Sequence, residues 1–220
     1  MKYALILASL FFTATATQAK TYYELSILND YLFRGITMTD HSPAIQWGAF
    51  VTNGNAYGSL QFSNVEMAEE AEGLPIEMNV HLGYDHRFNG FNIDTEIISY
   101  NTLADLGKEE TEFKFGTQLS RSSYFNVYRG VKLKTWYPEY SFKKYIEKRV
   151  YLTGRIGYWM QDDTSDSALH GRLVLGMDFP EFNGFTLFVG ADMITDEAPG
   201  NDNEDDDDHA GIVFGFTKRF

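Results

Sequence analysis

The residues of this chain that could do chemistry are charges rather than nucleophiles. It contains no cysteine, which removes thiolate catalysis, thiolate metal sites and disulfide frameworks together. Its histidines, His41, His81, His86, His170 and His209, are scattered, and none has a serine two residues on. The run Asp202–Asp208 offers hard oxygen ligands of the kind a divalent cation takes. It lacks the glycine turn and spaced ligands of a calcium loop, and reads first as a solvated loop. No cofactor or metal site is expected. What remains is a set of acids and bases recurring at every second residue, as in Glu112-Phe-Lys114 or Asp94-Thr-Glu96. Residues so spaced could line a polar conduit or close it with ion pairs, depending on the elements that carry them.

Those elements are strands. Side chains two apart share a face of a strand, so strict alternation means two different surroundings on the two faces. In His209–Phe220, Ala210, Ile212, Phe214 and Phe216 fall on one side, and Gly211, Val213, Thr217 and Arg219 on the other. Ile76–His86 sets Ile76, Met78, Val80, Leu82 and Tyr84 against Glu77, Asn79, His81, Gly83 and Asp85. The pattern continues through Thr21–Arg34, Pro43–Thr52, Asn55–Glu66, Phe91–Leu103, Glu110–Arg121, Tyr124–Tyr137, Lys148–Met160, Leu169–Phe179 and Phe185–Thr195, with a weaker segment at Pro138–Glu147. The expectation is an all-β, antiparallel transmembrane barrel of about twelve strands, with ten as the alternative. Twelve is an allowed even number for a bacterial barrel.

Counting back from Phe220 orients the segments. Asn53-Gly54, Asn89-Gly90 and Asn183-Gly184 then fall at the periplasmic end, where turns are short, and the last two share the sequence Phe-Asn-Gly-Phe. The acidic loops around Glu69, Glu70 and Glu72, around Asp162, Asp163 and Asp166, and over 196–208 fall outside. The pore-lining candidates are Asp30, Arg34, Glu77, Asp94, Glu96, Glu112, Lys114, Lys132, Lys134, Arg155, Arg172, Asp178 and Asp192, with Glu24, Asp85, Arg149 and Arg219 on the same face. Arg34, four residues beyond Asp30, reads as its ion-pair partner. Arg129 fits badly: it shares the lipid-facing parity of Val127, which at the midplane costs about 2–4 kcal/mol. It either snorkels at the periplasmic interface, or Gly130 marks a bulge.

Composition agrees. Lys2, the apolar run Tyr3–Phe12 and the small residues up to Ala19 have the layout of a cleaved secretory leader. This predicts residues 1–19 as signal peptide and 20–220 as one barrel domain in the outer membrane. Aromatics make up 16% of the chain, as girdles at two membrane interfaces would require. The net charge of −13 argues against a nucleic-acid partner. Barrels of about eight strands are filled by side chains and those of 16–18 hold an aqueous channel, so twelve lies between. The expected function is passive passage of small polar solutes or ions through a narrow charged lumen. A closed structural or adhesive barrel is the alternative. An outer-membrane enzyme is less expected: the His-x-Ser pair of lipid-hydrolysing barrels is absent, and the Asp-x-His pair of omptin-like proteases occurs only as Asp207-Asp208-His209, within an acidic run.

Asp30-Tyr-Leu-Phe-Arg-Gly-Ile-Thr37, Pro43-Ala-Ile-Gln46, Tyr57-Gly58, Ser63-Asn64 and Gly83-Tyr84 resemble the TorF-type porin family, the Gcw-type conserved hypothetical outer-membrane proteins. The sequence departs from the family's Glu-x-Asp pattern by carrying Asn79. The resemblance implies an outer-membrane location and porin-like function. A closing strand that ends on Phe220 also resembles outer-membrane barrels, whose last aromatic is read by the barrel assembly machinery. That machinery, membrane lipid and small solutes are the expected partners.

Overall fold

The computed structural model describes residues 19–66, 75–103, 110–162, 167–195 and 209–220. The expected leader up to residue 18, the acidic stretches bearing Glu69, Glu70, Glu72, Asp163 and Asp166, and the carboxylate run of 202–208 lie outside the described residues. The strands are β1 (Lys20–Leu28), β2 (Leu32–Phe33), β3 (Ile36–Thr37), β4 (Ala44–Asn53), β5 (Ala56–Asn64), β6 (Ile76–Phe88), β7 (Phe91–Thr102), β8 (Thr111–Ser120), β9 (Ser123–Gly130), β10 (Thr135–Tyr145), β11 (Val150–Gln161), β12 (Ser167–Phe179), β13 (Phe185–Ile194) and β14 (His209–Arg219). β1 and β4–β14 form a closed, antiparallel, twelve-stranded barrel, while β2 and β3 form a separate two-stranded hairpin. No helix among the described residues is long and apolar enough to cross a membrane. Closure comes where β1 pairs with β14 on one side and β4 on the other, Ser26 lying opposite both Thr217 and Gln46.

The alternation read from the sequence becomes two surfaces. Ile45, Trp47, Ile97, Phe113, Phe115, Leu173, Leu175, Val189, Ile212 and Phe214 stand exposed on the outside. An apolar band of this extent has no place in water, where patches rarely exceed a few hundred Å². Inward, Ser26, Ser63, Glu77, Glu96, Glu112, Glu139, His170 and Asp192 are buried. Tight connections gather at one end. Asn53 pairs with Ala56 across Gly54-Asn55, and Phe88 with Phe91 across Asn89-Gly90. Gly54 and Gly90 adopt φ of 62° and 98°, which L side chains resist.

Three sequence expectations need correction. First, β1 ends at Leu28 rather than continuing to Arg34, and the chain turns into the barrel before β4. Second, the segments Tyr124–Tyr137 and Pro138–Glu147 divide elsewhere: β9 ends at Gly130 and β10 begins at Thr135. Glu110 fixes the turn between them. Its carboxylate accepts the backbone N–H groups of Val131 (3.0 Å), Lys132 (3.0 Å) and Leu133 (2.8 Å). Lys132 and Lys134 therefore sit on this turn at the long-loop end, and neither lines the pore along a strand. Pro138 lies inside β10 opposite Val127; the β10–β11 ladder skips Tyr137 and Pro138 and resumes in the same register at Glu139. A proline has no N–H for the ladder, which is why the gap falls there. The even count stands.

Third, Arg129 does not snorkel at the tight-turn end. It lies next to Gly130 at the opposite end of β9, where Nη2 donates to Asp162 Oδ2 at 2.6 Å and the guanidinium stacks 4.8 Å over Trp136. Trp136 Nε1 donates to the other oxygen of Asp162 at 3.0 Å. The hydrogen bond from Arg129, more than any other interaction, holds the Asp162 carboxyl below its ordinary pKa. A carboxyl lowered in the folded state contributes stability above its unfolded pKa and loses it as pH falls through the folded value. Trp136 emission, taken as the difference between wild type and Trp136→Phe, should thus change on acidification below about pH 4. In Asp162→Asn that transition should be missing; its persistence would show that another group governs the tryptophan.

Candidate functional site

Residues 29–43 position the site. Asp30 organises them: it accepts from the Thr37 hydroxyl at 2.8 Å and lies 2.9 Å from His41 Nδ1. The following hairpin pairs Phe33 with Ile36, leaving Arg34 and Gly35 as a two-residue turn with φ of 50° and 95°. Positive φ at both places is the pattern of a type I′ turn, which suits glycine and asparagine but costs about 1–2 kcal/mol for an arginine. That strain is offset by where the arginine goes. Its guanidinium makes two parallel bonds to Glu112 of β8, at 2.7 and 2.8 Å. It also lies 4.2–4.9 Å from the rings of Phe33, Tyr128, Tyr137 and Trp159. The Tyr100 hydroxyl donates to the same Glu112 at 3.0 Å. The turn is pressed against the wall, since a Cβ on Gly35 would stand 2.6 Å from that of Ile194. The inward hairpin is therefore a plug docked on the β7–β13 side of the lumen.

Around the plug the wall is held by polar chains. Tyr137 and His170 share a hydrogen bond of 2.6 Å, and His170 Nε2 lies 3.0 Å from Asp192 Oδ1. Arg172 approaches Asp192 at 3.3 Å and donates to the Leu32 carbonyl of the hairpin. Towards the tight-turn end, Lys114 Nζ sits 2.7 Å from Asp94 and 2.8 Å from Glu96, while His81 lies 2.7 Å from Glu96. Arg155 stands 3.8 Å from Glu139.

Of the sequence candidates, Glu77, Asp94, Glu96, Glu112, Lys114, Arg155, Arg172, Asp178 and Asp192 lie on inward-facing strand positions. Asp178 meets the hydroxyls of Tyr145 and Thr186. Asp30 and Arg34 reach the lumen by loop, not strand, and Arg34 pairs with Glu112 instead of Asp30. Arg149 is at the tight-turn rim with Glu181. The sequence reading missed Tyr100, Tyr128, Tyr137, Trp159 and Glu139. Tyr100 shares the parity of Asp94 and Glu96, a signal that was present but masked by reading aromatics as girdle residues.

Two spaces remain. A small cavity of about 50 Å³ lies between Tyr31 and the β1, β4, β5 and β6 wall, lined by Ser26, Gln46, Gln61, Ser63, Glu77 and Asn79. A wider vestibule of about 350 Å³ opens near the tight turns, among Tyr57, Asp85, Asp94, Gln118, Tyr124 and Asn126.

Removing one partner of a buried ion pair strands the other charge, at about 3–5 kcal/mol. Glu112→Ala should lower the unfolding free energy in lipid vesicles by that amount. The double change Arg34→Met with Glu112→Met should recover most of it. A loss below about 1 kcal/mol for the single variant would mean that Arg34 is solvated after all.

The fold is shared with solved outer-membrane porins. The KdgM porin superposes with a TM-score of 0.58 at 8% identity, covering 92% of this chain and 99% of that one. The NanC porin gives 0.54 at 8% identity, over 90% and 99%. Omp33 of Acinetobacter baumannii gives 0.52 at 11% identity, over 91% and 99%. A second KdgM structure holds disordered oligogalacturonate. No curated protein matches the sequence. The model of a family described as "Bacterial protein of unknown function (Gcw_chp)" matches residues 13–180, a span that includes the inward hairpin, the Arg34 cage and the Pro138 strand. The chain belongs to the Gcw_chp family.

Proposed function

We propose that this chain is an outer-membrane channel for small polar solutes, neutral or cationic, which pass along the β1/β4/β5/β6 wall beside a fixed plug. In this reading residues 1–19 are removed on export, residues 20–220 form the barrel, and the tight-turn end with Phe220 faces the periplasm. The observation that carries the proposal is the one-sided docking of the hairpin. Its Arg34 turn docks on the aromatic wall, while hydroxyl, amide and carboxylate groups surround the small space beside β1, β4, β5 and β6, and a wider vestibule opens among β4–β9 at the tight-turn end.

The lining argues about charge. Arg34, Lys114 and Arg172 each lie within ion-pair distance of a carboxylate. An acidic oligosaccharide of the kind found with KdgM would compete with carboxylates for these three groups, and would meet Arg155, half-exposed and 3.8 Å from Glu139, more readily. The same hairpin also favours a second reading, a barrel closed for structural purposes.

Planar-bilayer recording separates the two. Wild-type protein should give small, steady conductance steps, and replacing Tyr31–Thr37 by a glycine-serine linker should enlarge them severalfold. Steps seen only in the linker variant would support the closed barrel. Silence from both proteins at every voltage would sink the channel reading.

A further inference from the structure

We propose that the vestibule of about 350 Å³ at the tight-turn end is a binding site for a neutral, polyhydroxylated solute of monosaccharide size. This deepens the channel reading and rests on it for its place in permeation. β4 runs from one space to the other, with Phe50 lining the small cavity and Thr52 the vestibule. The volume lies at the low end of small-molecule sites, about 300–1,000 Å³, which suits one sugar ring with some water.

The strand register assembles the polar side of this space from β6–β9. Asn92 of β7 stands opposite Arg87 of β6 and reaches Gln118 of β8, while Gln118 stands opposite Tyr124 of β9. In the next row inward, Asp85 faces Asp94, Asp94 faces Gly116, and Gly116 faces Asn126. A Cβ at Gly116 would collide with Asn126 Oδ1, so the glycine leaves that carboxamide room to lie over the wall. Asp85 and Arg87 share a single bond, Nε to Oδ2 at 2.8 Å, and the guanidinium is otherwise exposed. Asn92 to Gln118 and Gln118 to the Tyr124 hydroxyl measure 3.5 Å each, longer than the usual range of about 2.7–3.2 Å. These groups are held in place yet keep donors and acceptors for a ligand.

In the open vestibule water satisfies these groups, and a ligand has to replace it. Donors and acceptors are mixed around the rim: carboxylate, guanidinium, two kinds of amide and a phenol. A hydroxyl both gives and takes a hydrogen bond, so a solute bearing several can replace the water group for group. A solute with donors alone or acceptors alone cannot. The Tyr124 ring is 42% exposed and offers a flat face to the C–H side of a sugar ring. Charge narrows the class further. Asp85 is paired with Arg87, and Asp94 binds Lys114 at 2.7 Å through one oxygen and the Tyr57 hydroxyl at 2.7 Å through the other. Arg87 can take an acid only with Asp85 beside it, and a cation has to compete with Arg87 and Lys114 for either carboxylate.

Saturation-transfer NMR on the protein in detergent, with D-glucose and D-galactose as probes, reads the site without any current. Wild type should transfer saturation to at least one of the two sugars. The transfer should fall about threefold or more in Tyr124→Ala and in Arg87→Ala, and should persist in Tyr124→Phe, which keeps the ring. D-galacturonate, which differs from galactose by a carboxylate, should receive about threefold less than galactose. No transfer to either sugar would overturn the site. So would equal transfer in wild type and both alanine variants, or a preference for galacturonate. Both alanine changes lie at the exposed mouth; should one variant fail to fold, the other carries the comparison.

Bilayer recording tests the place in permeation. The sugar that binds should reduce wild-type conductance, and the concentration for half-block should rise about threefold or more in Tyr124→Ala. Open channels that the sugar leaves untouched would overturn that place. Silent bilayers with positive transfer would sink the channel reading and leave the site, whereas steady steps without transfer would remove the site and leave the channel.

Discussion

A strand placed in hydrocarbon has nowhere to send its N–H and C=O groups except to another strand. The rest of this structure follows from that constraint. Twelve strands must return to the first, so β1 has to match β14 and β4 at once; of its nine residues Glu24–Leu28 do so, with Glu24, Ser26 and Leu28 forming the inward row. Once the ladder is closed, period-two patterning becomes a division of space. The apolar parity meets lipid, and the polar parity is confined to a lumen too narrow for water to solvate every charge. Ion pairs inside are then a consequence of closure, because a charge left alone at low dielectric is costly.

The strands already give the lumen two unlike walls, Tyr128, Tyr137 and Trp159 on one side and Ser26, Gln46, Ser63 and Asn79 on the other. The hairpin Leu32–Thr37 brings a positive charge to the side where Phe33, Tyr128, Tyr137 and Trp159 gather. Aromatic faces and Glu112 hold a guanidinium; hydroxyls and amides would have hydrated it. The arginine thus sorts the interior, taking the aromatic wall and leaving the Ser/Gln/Asn wall open.

Parity was enough to make the barrel, its even count, its sorted turns and most inward charges legible. Asp94, Glu96, Glu112, Lys114, Arg172 and Asp192 needed only the alternation of their own strands. Failures came where another rule overrode alternation. Asp30-Tyr-Leu-Phe-Arg alternates well enough to pass for the end of β1, and the signals against it are the Arg-Gly turn and the Asp30–Thr37 hydrogen bond, which close only in three dimensions. Lys132 and Lys134 alternate too, but Glu110, more than twenty residues earlier, captures the amides between them and makes a turn. Arg129 was unreadable for the same reason, because its partner Asp162 arrives from a different hairpin.

Whether the plug moves is a question of magnitude. Withdrawing it would break a bidentate ion pair whose side chains are 5% and 3% exposed, and would strip the guanidinium from four rings. Rupture of a buried pair alone costs about 3–5 kcal/mol, and each cation–π interaction broken at a desolvated site adds up to about 2 kcal/mol. Relief of the strained Arg34 backbone returns only about 1–2 kcal/mol. The balance leaves an undocked population well below about 1%, since each 1.4 kcal/mol is a factor of ten. A solute of modest affinity cannot supply that difference, so the hairpin acts as a fixed partition. The wall across from the Arg34 cage carries Ser26, Gln46, Ser63, Glu77 and Asn79 around the small remaining space.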